Sequence, residues 1–246
     1  MGEGGRKAEI LGVQIDVMTV AESLAFICNA VQSGRRIRVV TANPELLLRV
    51  QRDGYMRRII DQADLVVPDG AGVVWAGRYL GSMMKERVTG IDLSVRLLAE
   101  AQKQGWRVFF LGGKPGVAEK AAQRQRRTYP GLLLATHHGY FALEEEEAVI
   151  ERIRRFKPHL LLVGFGVPYQ EYWLARFPDL AAVSMGVGGT FDVLSGDLRR
   201  APKWIQNICL EWLYRLVQEP KRLHRQKHLP RYIVEVFKQK QQQQQK

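Results

Sequence analysis

The sequence predicts an α/β fold: a Rossmann-like, mostly parallel sheet with helices on both faces, followed by a basic helical C-terminal appendage. Three observations carry that prediction. Strand-like runs at residues 36–41, 65–67, 108–111, 132–136, 160–163 and 181–184 alternate with longer segments of helical periodicity. Several runs are apolar throughout, as strands covered on both faces are. Glycine- or proline-rich turns follow at their carboxyl ends, the edge at which open parallel sheets bind ligands.

Taken in order, Glu9-Ile10-Leu11 and Val13-Gln14-Ile15-Asp16-Val17 flank Gly12 as the arms of a small hairpin. Thr19 and Glu22 form a capping box that opens a helix to about residue 32. After the strand at 36–41, Pro44 suits a first helical position, and helical patterning follows over residues 46–62 with Gly54 as a candidate break. Residues 63–70 read as a buried strand that ends in Pro68-Asp69-Gly70, with a helix over residues 70–80. The alternation continues without an internal repeat to about residue 198. Beyond it Ile205, Ile208, Cys209, Trp212, Leu216 and Val217 recur at helical spacing, and Pro220 ends or kinks that helix. Lys221, Arg222, Arg225, Lys227 and Arg231 follow, then the apolar Tyr232-Ile233-Val234 and Val236-Phe237. The organisation is thus a core over 1–198, a basic helical appendage over 199–240 and a disordered, glutamine-rich tail over 241–246.

The formal charge of +12 is unevenly placed. Residues 1–198 hold 25 Lys and Arg against 22 Asp and Glu, whereas 199–246 hold 12 against 3. Such a tail suits nucleic acid, an anionic bilayer surface or solubility alone. Cys28 and Cys209 are too few for a disulfide framework, and their apolar neighbours point to buried thiols in a reducing, cytoplasmic setting. No amino-terminal signal pattern is present and no apolar run approaches about 18 residues, so no membrane span is expected.

Asp69 stands at a strand end among glycines, either as a general base or as the cap of the next helix. Thr41 and Asn43 occupy the equivalent place after the preceding strand, positioned for a sugar hydroxyl or phosphate oxygen, although Asn43 also fits an N-cap. Arg87 offers a cation for phosphate and Asp92 a carboxylate for sugar hydroxyls, with a surface arginine and a helix-start aspartate as the plain alternatives. Gly112 and Gly113, in Phe110-Leu111-Gly112-Gly113-Lys114-Pro115-Gly116, make a strand–turn–helix start able to present amides to a diphosphate. The glycine spacing fits neither the dinucleotide fingerprint nor a Walker loop. Gln170 or Glu171 is expected to reach the ligand, the other facing solvent, and Gly188 and Gly189 supply a third glycine turn. His137 and His138 are adjacent and diverge in a strand, and no metal template or nucleophile elbow appears, so no metal or cofactor is called for.

These motifs resemble those of the WecG/TagA/CpsF family of bacterial glycosyltransferases. The resemblance spans roughly residues 9–236 and continues through Arg200-Ala201-Pro202-Lys203-Trp204, Leu210-Glu211-Trp212-Leu213-Tyr214-Arg215-Leu216 and Glu219-Pro220-Lys221-Arg222. Tyr169 departs from the residue expected in many relatives, leaving Gln170 and Glu171 in place. The resemblance implies inverting transfer from a UDP-sugar, N-acetylmannosamine in the TagA-like members, to an undecaprenyl-diphosphate N-acetylglucosamine acceptor in wall teichoic acid synthesis. It also implies Asp69 as base, Thr41, Asn43 and Gln170 as pocket residues, and a tail that reaches the inner face of the cytoplasmic membrane and completes the site. Arg215, Arg222 and Arg225 are its candidate phosphate or lipid contacts. A homo-oligomer that dissociates at the membrane, and UDP-N-acetylmannosamine uronate as donor, belong to the same picture. A nucleic-acid-binding protein with a basic tail is the rival from another class, disfavoured by the balanced core. A nicotinamide oxidoreductase is disfavoured by the missing fingerprint.

Overall fold

The computed structural model describes residues 7–207, 210–220 and 228–245. Lys7–Ile10 (β1) and Val13–Asp16 (β2) form the antiparallel hairpin, turning through Leu11 and Gly12 at positive φ. Thr19 closes the capping box of α1 (Val20–Gln32): its Oγ1 accepts from the Glu22 amide at 3.2 Å, and Glu22 Oε2 accepts from the Thr19 amide at 2.6 Å.

The main sheet contains β3 (Ile37–Ala42), β4 (Leu65–Pro68), β5 (Arg107–Gly112), β6 (Leu133–His137), β7 (Leu160–Gly164) and β8 (Val183–Gly186). They are all parallel, in the order β4-β3-β8-β7-β5-β6. Because side chains alternate along a strand, each strand feeds two cores. Val39, Leu65 and Val67 enter one, and Val40, Ala42 and Val66 the other. Val108 and Phe110 likewise separate from Phe109 and Leu111. The first face is covered by α1, α5 (Gly90–Gln104), α6 (Val117–Thr128) and α9 (Thr190–Ser195). On the second face lie α2 (Pro44–Val50), α3 (Gly54–Asp61), α4 (Ala71–Tyr79), α7 (Glu146–Phe156) and α8 (Tyr169–Arg176). Gly54 does mark a break: Asp53 accepts from the Tyr55 and Met56 amides and starts α3 anew.

The chain leaves β3 for α2 on one face and leaves β8 for α9 on the other. The carboxyl ends of these neighbouring strands therefore diverge and open a crevice, the position at which doubly wound sheets bind ligands.

After α9 come the short helices α10 (Lys203–Asn207) and α11 (Glu211–Gln218), then α12 (Leu229–Gln244). α12 packs on α2 and α4, and it sends Tyr232 and Val236, 1% and 0% exposed, into the second-face core. Gln239 stitches it to the hairpin: the Leu11 amide donates to its Oε1 at 2.8 Å, and its Nε2 donates to the Glu9 carbonyl at 3.0 Å. The helix continues through Gln244, beyond the point at which disorder was expected, because glutamine sustains a helix well and no breaker follows Pro230 in its first turn. Cys28 is partly buried, and Cys209 lies outside the described residues. No described helix is long and apolar enough to cross a membrane.

Candidate active site

A cavity of about 620 Å³ opens at the carboxyl ends of β3, β4 and β8, with tail residues of α11 and α12 forming another wall. Asp69 sits one residue past β4, held beside β3 by its amide's hydrogen bond to the Ala42 carbonyl at 2.8 Å. Gly70 turns the chain at φ 104 and is itself the N-cap of α4 with no side-chain bond, so the capping reading of Asp69 falls away. The Gly90 amide at the start of α5 instead favours the charged form of the carboxylate. Asp69 keeps a partial opening onto the cavity while protein encloses its other sides. Burial pushes its carboxyl up to about 6, against the opposing pull of Arg215, the Gly90 amide and Arg87, and Glu211 pushes it in the same direction as burial.

Thr41, near the end of β3, is buried and donates from Oγ1 to the Gly186 carbonyl at 3.1 Å, tying the β3 exit to that of β8. Asn43 caps α2 by accepting from the Leu46 amide at 2.9 Å and also lines the cavity. Gln170, in the first turn of α8, accepts from the Gly166 and Gly188 amides at 3.1 and 3.0 Å and so pins two glycine turns with one carbonyl. Its Nε2 donates to Glu171 Oε1 at 2.8 Å. Gly188 and Gly189 border the cavity.

The profile of the Glycosyl transferase WecG/TagA/CpsF family matches residues 8–246. The chain belongs to this family. Among its relatives are proteins of Staphylococcus aureus strains MW2, NCTC 8325 / PS 47 and COL, each named N-acetylglucosaminyldiphosphoundecaprenol N-acetyl-beta-D-mannosaminyltransferase. Each is 36% identical over 240 residues, covering 95% of this chain and 93% of the relative.

In this WecG/TagA/CpsF glycosyltransferase several residues stand elsewhere than their local sequence implied. Asp92 does not line the cavity; it accepts from Thr89 Oγ1 at 2.6 Å and pairs with Arg200 Nη2 at 2.7 Å. Gly112 and Gly113 are also absent from its lining. Their strand, β5, lies beyond β7 from β8, and Gly113 donates to the Gly164 carbonyl at 3.2 Å. Glu171 neither reaches the cavity nor faces solvent: it is 3% exposed, and burial pushes its carboxyl up to about 7. Arg87 lines the cavity but is engaged by the tail, donating to Glu211 Oε2 at 2.6 Å and Gln206 Oε1 at 3.1 Å. Arg215 lines the cavity, whereas Arg222 and Arg225 lie outside the described residues.

Sequence reasoning passed over Glu211, Trp75 and Tyr232, which also line the cavity. The available signal for Glu211 was its sign: it is one of three acids in a tail of twelve cations. Among the described residues no group of three or more His, Cys, Asp or Glu side chains gathers as a metal site.

Proposed function

We propose that this glycosyltransferase transfers N-acetylmannosamine with inversion from UDP-N-acetylmannosamine to undecaprenyl-diphosphate N-acetylglucosamine, the sugar and acceptor that the names of its relatives describe. The observation that carries the mechanism is Asp69: a carboxylate open to the cavity, with its proton affinity raised to about 6 and two arginines on the same cavity. A carboxylate of that basicity is ionised at neutral pH, yet takes a proton more readily than an exposed aspartate. It would accept the acceptor hydroxyl's proton as that oxygen attacks the anomeric carbon, while UDP leaves from the opposite face. Thr41 and Gln170 hold the strand ends and glycine turns that shape the sugar pocket. Negative charge gathering on the leaving diphosphate would be met by Arg87, Arg215 and the amides of Gly188 and Gly189, without a metal ion.

A lipid-linked acceptor supports a location at the inner face of the cytoplasmic membrane, in a step of the kind that begins a wall teichoic acid linkage unit. Trp75, Tyr79 and Phe237 support that location. They form one exposed aromatic cluster, with centroids 5.1–6.0 Å apart, and Trp75 also lines the cavity. Rings of this kind suit the interface between water and lipid.

The test is transfer from a panel of UDP-sugars to the lipid acceptor by parent and Asp69→Asn proteins, with and without EDTA. UDP-N-acetylmannosamine should be the preferred donor, EDTA should leave the rate unchanged, and the substitution should slow transfer at least about 100-fold. Parental turnover by a folded Asp69→Asn protein would remove Asp69 as base. Preference for the uronate would reassign the donor.

A further inference from the structure

Of the cavity-wall carboxylates that the proposed chemistry does not use, Glu211 is the buried one. Glu211, in the first turn of α11, is 8% exposed and gathers three guanidiniums. Arg87 Nη1 lies at 2.6 Å, Arg200 Nε at 3.7 Å and Arg215 Nε at 3.9 Å. These cations come from three places in the chain: the loop before α5, the segment after α9, and one turn further along α11. Two have second partners, Gln206 for Arg87 and Asp92 for Arg200. A buried carboxylate is costly unless closely paired. The shortest of these pairs joins the tail to Arg87 of the core.

We propose that Glu211 is a positioning residue of the transferase site: it fixes Arg87 and Arg215 along one cavity wall and offsets part of the positive charge they would otherwise present to Asp69. The inference rests on the transferase reading above for its kinetic consequences, though not for its electrostatics. Asp69 faces Arg215, Arg87, Glu211 and the Gly90 amide. Glu45 and His228 are further ionisable side chains on the cavity, and Asp92 reaches the cluster through Arg200. With Glu211 neutralised, both arginines act on Asp69 without that opposition, and the base becomes weaker. Their guanidiniums also lose the anchor that sets them for a diphosphate.

The experiment compares full-length parent, Glu211→Gln and Glu211→Asp proteins. The Asp69 carboxyl is titrated by NMR on protein labelled with 13C-aspartate, with the signal assigned by Asp69→Asn. The pH dependence of kcat/KM and the KM for UDP-N-acetylmannosamine are measured alongside. Glu211→Gln should lower the Asp69 midpoint by about half a pH unit or more, roughly threefold in the protonation equilibrium. The acid limb of kcat/KM should move with it, and donor KM should rise several-fold. Glu211→Asp keeps the charge but shortens the reach, so donor KM should rise while the midpoint stays near the parental value.

A purely structural Glu211 would lower the melting temperature and leave midpoint and acid limb in place; that result overturns the proposal. If the glutamine variant does not fold, a parental donor KM in Glu211→Asp overturns it instead. A lowered midpoint in proteins that never use UDP-N-acetylmannosamine would sink the donor assignment while supporting the role of Glu211.

Discussion

Asp69 and Glu171 are carboxyls whose ionisation the folded state disfavours, with values of about 6 and about 7 against reference values of 3.8 and 4.5. The folded protein therefore retains protons that the unfolded chain has released, so stability from these groups is full below about pH 4 and is lost as pH rises through 6 and 7. Asp69→Asn should consequently melt several degrees above the parent at pH 8, while being inactive, and the gain should vanish near pH 4. Calorimetry across that range checks the sign. By the same value, kcat/KM of the parent should climb with pH along an acid limb near 6. Arg215→Ala should raise donor KM about tenfold, read from initial rates, since it removes a cavity cation that a diphosphate would engage. Asp69 was legible because Pro-Asp-Gly after an apolar run is a local signal. Gly112 and Gly113 carry the same local grammar, yet β5 lies away from the β3–β8 crevice; Asp92, next to the cavity-lining Ile91, is engaged by Thr89 and Arg200 instead. Strand order is a property of the whole sheet, which no single motif encodes.

Among the elements, α12 departs furthest from what its sequence implied. Tyr232 and Val236 sit at helical spacing, which the sequence displayed, but their partners in α2 and α4 lie more than 150 residues earlier. Composition therefore set α12 apart as an appendage, while packing places it within the second-face core. The Tyr232 hydroxyl donates to the Gly72 carbonyl at 3.4 Å, beside the turn that carries Asp69. Tyr232→Ala should cost about 3–5 kcal/mol in urea unfolding, as for other large buried aromatics, and should open the cavity wall as well. The hairpin, the capping box at Thr19 and the break at Gly54 were all readable, because each depends on residues within a turn of one another.

For the molecule as a whole, the exposed aromatic surface reaches the cavity through Trp75. Replacing Trp75 and Phe237 together by serine should weaken sedimentation with anionic vesicles several-fold, while transfer to a short-chain, water-soluble acceptor persists. Unchanged sedimentation would move the membrane contact elsewhere. Removing residues from 229 onward is a poorer probe, since it uncovers the cavities left by Tyr232 and Val236 in the interior. The Gln239 stitch to Leu11 and Glu9 joins a residue close to the carboxyl terminus with the first described strand and its turn. A chain still emerging from the ribosome has made Asp69 but not the wall opposite it. The cavity is thus walled only once α11 and α12 have been made, and a fragment that stops before Glu211 lacks that wall.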